Sequence, residues 1–214
     1  MRDPIVAFSS CDAGVTRTMT STRLEQILAL IDAANACDPQ LESWQGETRP
    51  REWVYGQRMT AWLPQVCPDA SEALQIAARG QHIRRWEVPR DAYPPGREGY
   101  LKWRTFLYGF HADKVAELMC EAGYEAEQQQ RVKTLIQKRG IKTDQEVQVL
   151  EDVICLVFLA HYFGDFAATQ SPDKLVGIVR KTWAKMSERG HELALQLPFP
   201  ASLQPLLAEA LGGA

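Results

Sequence analysis

No run of apolar residues in this chain approaches the roughly 20 that a helix needs to cross a bilayer. A helical membrane span is therefore excluded from the expected fold. Cys-x-x-C pairs are missing too, and the five cysteines, Cys11, Cys37, Cys67, Cys120 and Cys155, are scattered and odd in number. They read as reduced thiols, not as a disulfide framework or a cysteine-rich zinc site. Excess charge of either sign is lacking: 24 Lys and Arg stand against 27 Asp and Glu, a formal net charge of −3. Extended nucleic acid is thus not an expected partner, because duplex binding draws on a broadly basic surface. The opening MRDPIVAFSSCDAGV carries no apolar stretch of the kind a secretory signal uses, so a cytoplasmic location is expected and a membrane partner is not. No glycine-rich phosphate loop and no strand–helix alternation occur.

What is present is helical periodicity. Residues 1–20 show none and are expected to form a flexible extension, leaving 21–214 as a single all-α domain, a helical bundle. A capping box from Thr22 to Glu25 opens a helix with Leu24, Ile27, Leu28 and Ile31 on one face, ending near Cys37. A second helix is expected from about Pro50 to Cys67, shortened or kinked by Pro64. Asp69 with Glu72 reads as another capping box, before a helix of small and apolar residues that delivers His82 at its end. Prolines and glycines from Val88 to Gly99 predict a long ordered loop. Helices follow at about Glu98 to Cys120 and Glu125 to Lys138, then from a Thr143–Glu146 capping box to about Phe166. Ser171 and Pro172 start a helix to about Met186, and Leu203 to Leu211 closes the chain. No strand pattern is evident.

Two constellations carry chemistry. Within LEDVICLVFLA, residues 150–160, the only polar side chains are Glu151 and Asp152. A helix apolar on nearly every face is buried, so at least one carboxylate needs a metal, an arginine or a proton. His82 and His111 are the neutral nitrogen donors that could join Glu151 and Asp152 around one divalent transition metal, Zn, Fe or Mn. Either histidine could equally be a structural residue hydrogen-bonded to a neighbour.

The second constellation is cationic. From Arg79 to Arg104, seven Lys and Arg oppose three carboxylates, a local charge of about +4 in an acidic chain. Arg85, Arg90, Arg97, Lys102 and Arg104 suit the oxygens of a small anion, and Trp86, Tyr93 and Trp103 could seal or stack on it. The same arginines could instead pair with helix carboxylates and pin the loop. Glu87, within this stretch, is the candidate acid or base.

AARGQHIRRWEVPRDAYPPGREGYLKWR, FHADKVAELMCEAGY and QVLEDVICLVFL together resemble the uncharacterised DUF4202 family, with the likeness running from about Leu24 to His191. A more distant resemblance is to HD-domain metal-dependent phosphohydrolases, in which histidines and aspartates from successive helices meet a metal. That resemblance implies metal-ligand positions at His82, His111 and Asp152. It also marks two departures: Ile83 stands where an aspartate would follow the first histidine, and Gln57 and Arg58 stand where an upstream ligand would be. Glu151 could replace the missing carboxylate, and Arg58 joins the anion-binding set. The resemblance implies a hydrolase of small phosphorylated or nucleotide-like anions. The other expectation is a metal-free binding module for an anionic metabolite or a nucleic-acid end.

Overall fold

The computed structural model describes residues 22–212. The extension expected over residues 1–20, with Cys11, lies outside the described residues. What is described is a single, mostly α-helical domain. Its elements are α1 (Arg23–Asn35), a hairpin of β1 (Leu41–Trp44) and β2 (Glu47–Pro50), α2 (Arg51–Val66), α3 (Glu72–Gly80), α4 (Gly96–Glu121), α5 (Ala126–Ile136), α6 (Gln145–His161), α7 (Phe163–Ala167), α8 (Pro172–Trp183), α9 (Glu188–Leu195) and α10 (Gln204–Leu211). Short 3-10 turns at Arg85–Glu87, Arg90–Ala92 and Ala201–Leu203 punctuate the loops.

Caps set most boundaries. Thr22 closes the expected capping box with Glu25. Two other boxes form differently. Ser71, not Asp69, caps α3 by accepting from the Leu74 amide at 3.1 Å. Asp144, not Thr143, caps α6 by accepting from the Glu146 and Val147 amides. In both cases the residue one or two places along brings its oxygen onto the free N–H groups, and spacing alone does not separate neighbours that could each cap. Pro64 sits within the last turn of α2, which runs on to Val66. The helix expected to reach Phe166 breaks at Tyr162 into α6 and α7.

The hairpin and α9 were not expected. Gln45 and Gly46 both have positive φ, 51° and 81°, the left-handed pair that a tight two-residue turn requires between antiparallel strands. With each strand only four residues long and mostly exposed, no alternating pattern builds up to signal it.

α6 is buried on two sides. Val147, Leu150, Val153 and Val157 join one core with Ile27, Ile31, Met59, Leu74 and Ile83, whereas Cys155, Leu156 and Leu159 join a second with Phe163, Val176, Val179 and Leu193. Its all-round apolar sequence follows from that double burial. The buried Cys155 thiol is pushed up to about 12 by desolvation and is inert.

One close approach determines where the polar residues meet. At Gly80, the last residue of α3, an added Cβ would stand 2.4 Å from Val115 Cγ2 on α4. Only glycine lets the end of α3 lie this close to α4. The contact places His82 and Ile83 beside His111, one helical turn before Val115. Gly80→Ala is expected to destabilise the fold by about 1–3 kcal/mol in urea unfolding, and adding Val115→Ala to recover part of that loss.

Candidate functional site

His82 and His111 stand side by side, with ring centroids 5.8 Å apart. His111 is 1% exposed, and its Nδ1 lies 2.8 Å from the Ile83 carbonyl. A carbonyl only accepts, so Nδ1 carries the proton and Nε2 presents a lone pair. That Nε2 is buried and has no hydrogen-bond partner among the described residues. Burial, then the neighbouring His82 and Arg85, holds His111 well below the usual histidine range, so the ring is neutral.

His82 is the more accessible of the two, with 23% of its side chain exposed, and its Nδ1 lies 3.2 Å from Glu52 Oε2. Its ring stacks on Tyr55, centroids 3.8 Å apart and planes within 10°. Desolvation lowers its basicity well below the ordinary value, and Arg85, Lys138 and Arg51 lower it further. Glu52 is buried and pushed up to about 7 by desolvation, against the opposing pull of Arg85 and Arg51. A carboxyl raised to about 7 beside an imidazole lowered below its ordinary range leaves the proton on Glu52 and the ring neutral.

The local structure explains the placement. Asp38 accepts from the Glu52 amide at 3.0 Å, capping the first turn of α2, and accepts from the Gln40 amide through its other oxygen. Asn35, at the end of α1 and 1% exposed, donates to the Glu52 carbonyl at 3.4 Å and accepts from the Arg84 amide at 3.0 Å. One asparagine thus ties together the segments that carry both members of the pair. Arg84 adopts a left-handed conformation, φ 51°, which turns the chain after His82 so that Arg85 returns toward the site. The Arg85 guanidinium lies over Trp103, 4.6 Å from the ring centroid, and its charge is felt by Glu52, Tyr55, His82 and His111.

Beside this pair lies a second polar cluster. Glu151, 3% exposed, pairs with Lys138 and lies 3.7 Å from Lys185 Nζ. Those cations, with Arg104, hold its carboxyl below the ordinary range despite the opposing effect of burial. Arg104 donates to the Tyr108 hydroxyl at 2.6 Å, and Lys138 lies 5.7 Å from the centroid of that ring.

The expected metal set is not assembled. Asp152 accepts from the Ser187 amide at 2.8 Å, from the Ser187 hydroxyl at 2.5 Å and from Gln148 at 3.1 Å. It is the anchor of α9, whose N-cap is Ser187. Glu151 is occupied by lysine. Among the described residues no group of three or more His, Cys, Asp or Glu could hold a metal ion. The adjacency of Glu151 and Asp152 misled because consecutive helix residues point about 100° apart, here into different clusters.

The expected catalytic Glu87 is also replaced. It pairs with Arg84 three residues away, at 2.5 Å, and faces solvent. Of the expected anion-binding residues, Arg85 and Arg104 reach the polar interior. Arg90 instead donates to the carbonyls of Tyr93, Pro94 and Gly96 and staples the loop. Lys102 pairs with Glu98 in solvent, Arg97 is exposed on the first turn of α4, and Arg58 binds Glu42 at 2.6 Å beneath Tyr162. Of the aromatics, Trp103 underlies Arg85 and donates to the Val88 carbonyl at 2.8 Å. Tyr93 packs near Phe106, 6.3 Å between centroids, and Trp86 is half-buried. Glu52 and Tyr55 were missed. Their signal was available only as a carboxylate and a tyrosine one turn apart on an amphipathic helix, which is commonplace.

A cavity of about 320 Å³ lies elsewhere, between α8, α9 and α10, lined by Val179, Trp183, Leu195, Phe199 and Leu207 among others. Among the described residues that line it, none is titratable. No helix among the described residues is long and apolar enough to cross a membrane.

The fold and site define an all-α protein with a buried imidazole–carboxyl pair beside an arginine. The family model described as a domain of unknown function, DUF4202, matches residues 25–207, and the chain belongs to that family. No curated protein and no solved structure matches it.

Two outcomes follow. The folded state keeps a proton on Glu52 between about pH 4.5 and 7 that the unfolded chain has released, so this contribution favours the fold at low pH and is lost as pH rises through about 7. His82 and His111 act oppositely, refusing a proton that the unfolded chain takes up near 6.5, so their contribution is lost as pH falls. Glu52→Gln mimics the protonated carboxyl. Its stability relative to wild type should rise by about 2–3 kcal/mol between pH 5 and pH 8 in urea titrations. Asp152→Ala should cost about 2–4 kcal/mol through the stranded Ser187 amide and hydroxyl, and leave the metal content of the purified protein unchanged.

Proposed function

We propose that the protein binds a small phosphorylated or nucleotide-like anion beside Arg85 and moves a proton to or from it through the Glu52–His82 pair. The observation that carries this reading is the 3.2 Å contact between Glu52 Oε2 and His82 Nδ1, with Arg85 close enough to act on both. A carboxyl behind an imidazole orients the ring and stabilises its charged form, which is how a histidine becomes a general base or acid. Arg85, already stacked on Trp103, offers a planar fork to phosphate or carboxylate oxygens.

Charge balance supports an anion over a neutral ligand. Arg85, Arg104, Lys138 and Lys185 surround Glu151 and a Glu52 that is half neutral at about pH 7, leaving cationic charge unmatched inside an acidic protein. An incoming anion would offset it in a poorly hydrated setting, where each interaction counts for more than in water. Hydrolysis is the instance of this chemistry in which the proton comes from water. The distant likeness to HD-domain phosphohydrolases agrees with the ligand class, but the residues present do not fit the metal centre that likeness implies, and no step is routed through one. If the pair only fixes the ligand, the protein is a binding module with the same specificity.

Calorimetric titration with inorganic phosphate, with and without Mn²⁺ or Zn²⁺, tests the reading. Phosphate should bind without added metal, and Arg85→Met should weaken it by about tenfold or more. Screening of phosphomonoesters and nucleotides for turnover then separates the classes: His82→Ala should abolish hydrolysis of a turned-over ester while retaining phosphate binding. Phosphate binding that appears only with metal would overturn the proposal.

A further inference from the structure

The orphaned nitrogen of His111 narrows the ligand class. We infer that His111 Nε2 is a specificity determinant that accepts a hydrogen bond from a hydroxyl of the ligand, so that the anion is a hydroxylated phosphomonoester. This inference rests on the anion reading above.

The Ile83 carbonyl fixes the tautomer, since Nδ1 must donate to it at 2.8 Å and Nε2 is left as an acceptor. That acceptor is buried and has no donor among the described residues. An unpaired buried acceptor costs on the order of 1–3 kcal/mol, and a fold tolerates it where something else supplies the donor. The phosphoryl group of a phosphomonoester dianion has only acceptors to offer and cannot do so, so the donor must come from elsewhere on the ester. Arginine donors are present nearby, but Arg85 forms no hydrogen bond to this nitrogen in the described structure; it lies over Trp103. The His82 ring is 5.8 Å away, so a hydroxyl held about 3 Å from His111 Nε2 would sit beside the imidazole of the proton-transfer pair. A single group on the ligand would then be both recognised by His111 and within reach of His82.

The test uses the full chain and three probes matched in charge chemistry: inorganic phosphate, ethyl phosphate and 2-hydroxyethyl phosphate. Calorimetry on the wild type should show 2-hydroxyethyl phosphate binding about tenfold more tightly than ethyl phosphate, the effect of one hydrogen bond to a buried partner. His111→Asn keeps a donor for the Ile83 carbonyl while deleting the Nε2 position. It should bind the two esters equally, and ethyl phosphate as the wild type does. Should that variant fail to fold, ¹⁵N NMR of histidine-labelled wild type gives an independent readout: the His111 Nε2 resonance should move upfield with 2-hydroxyethyl phosphate and stay in place with ethyl phosphate. Equal affinity of the wild type for both esters, with no selective shift, overturns the inference and leaves the anion reading standing. Failure of all three probes to bind overturns the anion reading and this inference with it.

Discussion

A buried arginine organises the N-terminal half of the fold. Arg79, near the end of α3, donates to both oxygens of Asp32 on α1, at 2.8 and 2.9 Å, and to the Thr60 hydroxyl on α2 at 2.8 Å. Gln57 of α2 reaches the same aspartate. A guanidinium taken this far out of water is tolerable only with its partners in place, and removing one leaves a stranded charge worth several kcal/mol. The three helices are therefore held in one relative geometry. Asn35, one turn beyond Asp32 on α1, inherits that geometry and passes it to Glu52 and Arg84. The Glu52–His82 pair depends on a clasp that contains neither of its members.

The helical frame was largely legible because helices announce themselves locally. Capping residues, proline at a first turn and apolar spacing along α1, α2, α4 and α6 are each short-range signals, and the structure places these helices within a few residues of the expected bounds. Long-range partnerships were less legible. His82 and His111 were found because histidines are scarce and fall on successive central helices, and they do meet. Their carboxylate partner was sought at Glu151 and Asp152, whose exposure to an apolar helix made them conspicuous. It is instead Glu52, whose importance comes from burial by α1 and the loop after α3, a fact that no window around residue 52 contains. The loop arginines divide for a similar reason. Arg85 follows a left-handed turn that swings it inward, whereas Arg90, five residues on, finds carbonyls within its own loop.

Burial and charge work against each other at Glu52 and in the same direction at His82. Desolvation alone would keep Glu52 protonated and both imidazoles neutral. The nearby cations pull Glu52 back toward ionisation and push His82 further from it. The outcome is a pair in which the carboxyl holds the proton up to about pH 7 and the imidazole stays neutral. Tyr55, stacked on His82 and with its own hydroxyl raised well above the ordinary range by burial, stays neutral throughout and acts as a fixed wall.

The two neighbouring carboxylates of α6 have one more consequence. Glu151 faces the cations below the imidazoles, and Asp152 holds the first turn of α9 through Ser187. They share a peptide bond, so the seating of the C-terminal helical layer and the position of the counter-charge under the site are mechanically joined. A load applied to α9 is felt first at Asp152 and then, one residue away, by the carboxylate that neutralises Lys138. The C-terminal layer thus serves as a strut for the electrostatics of a site to which it contributes little more than the charge of Lys185.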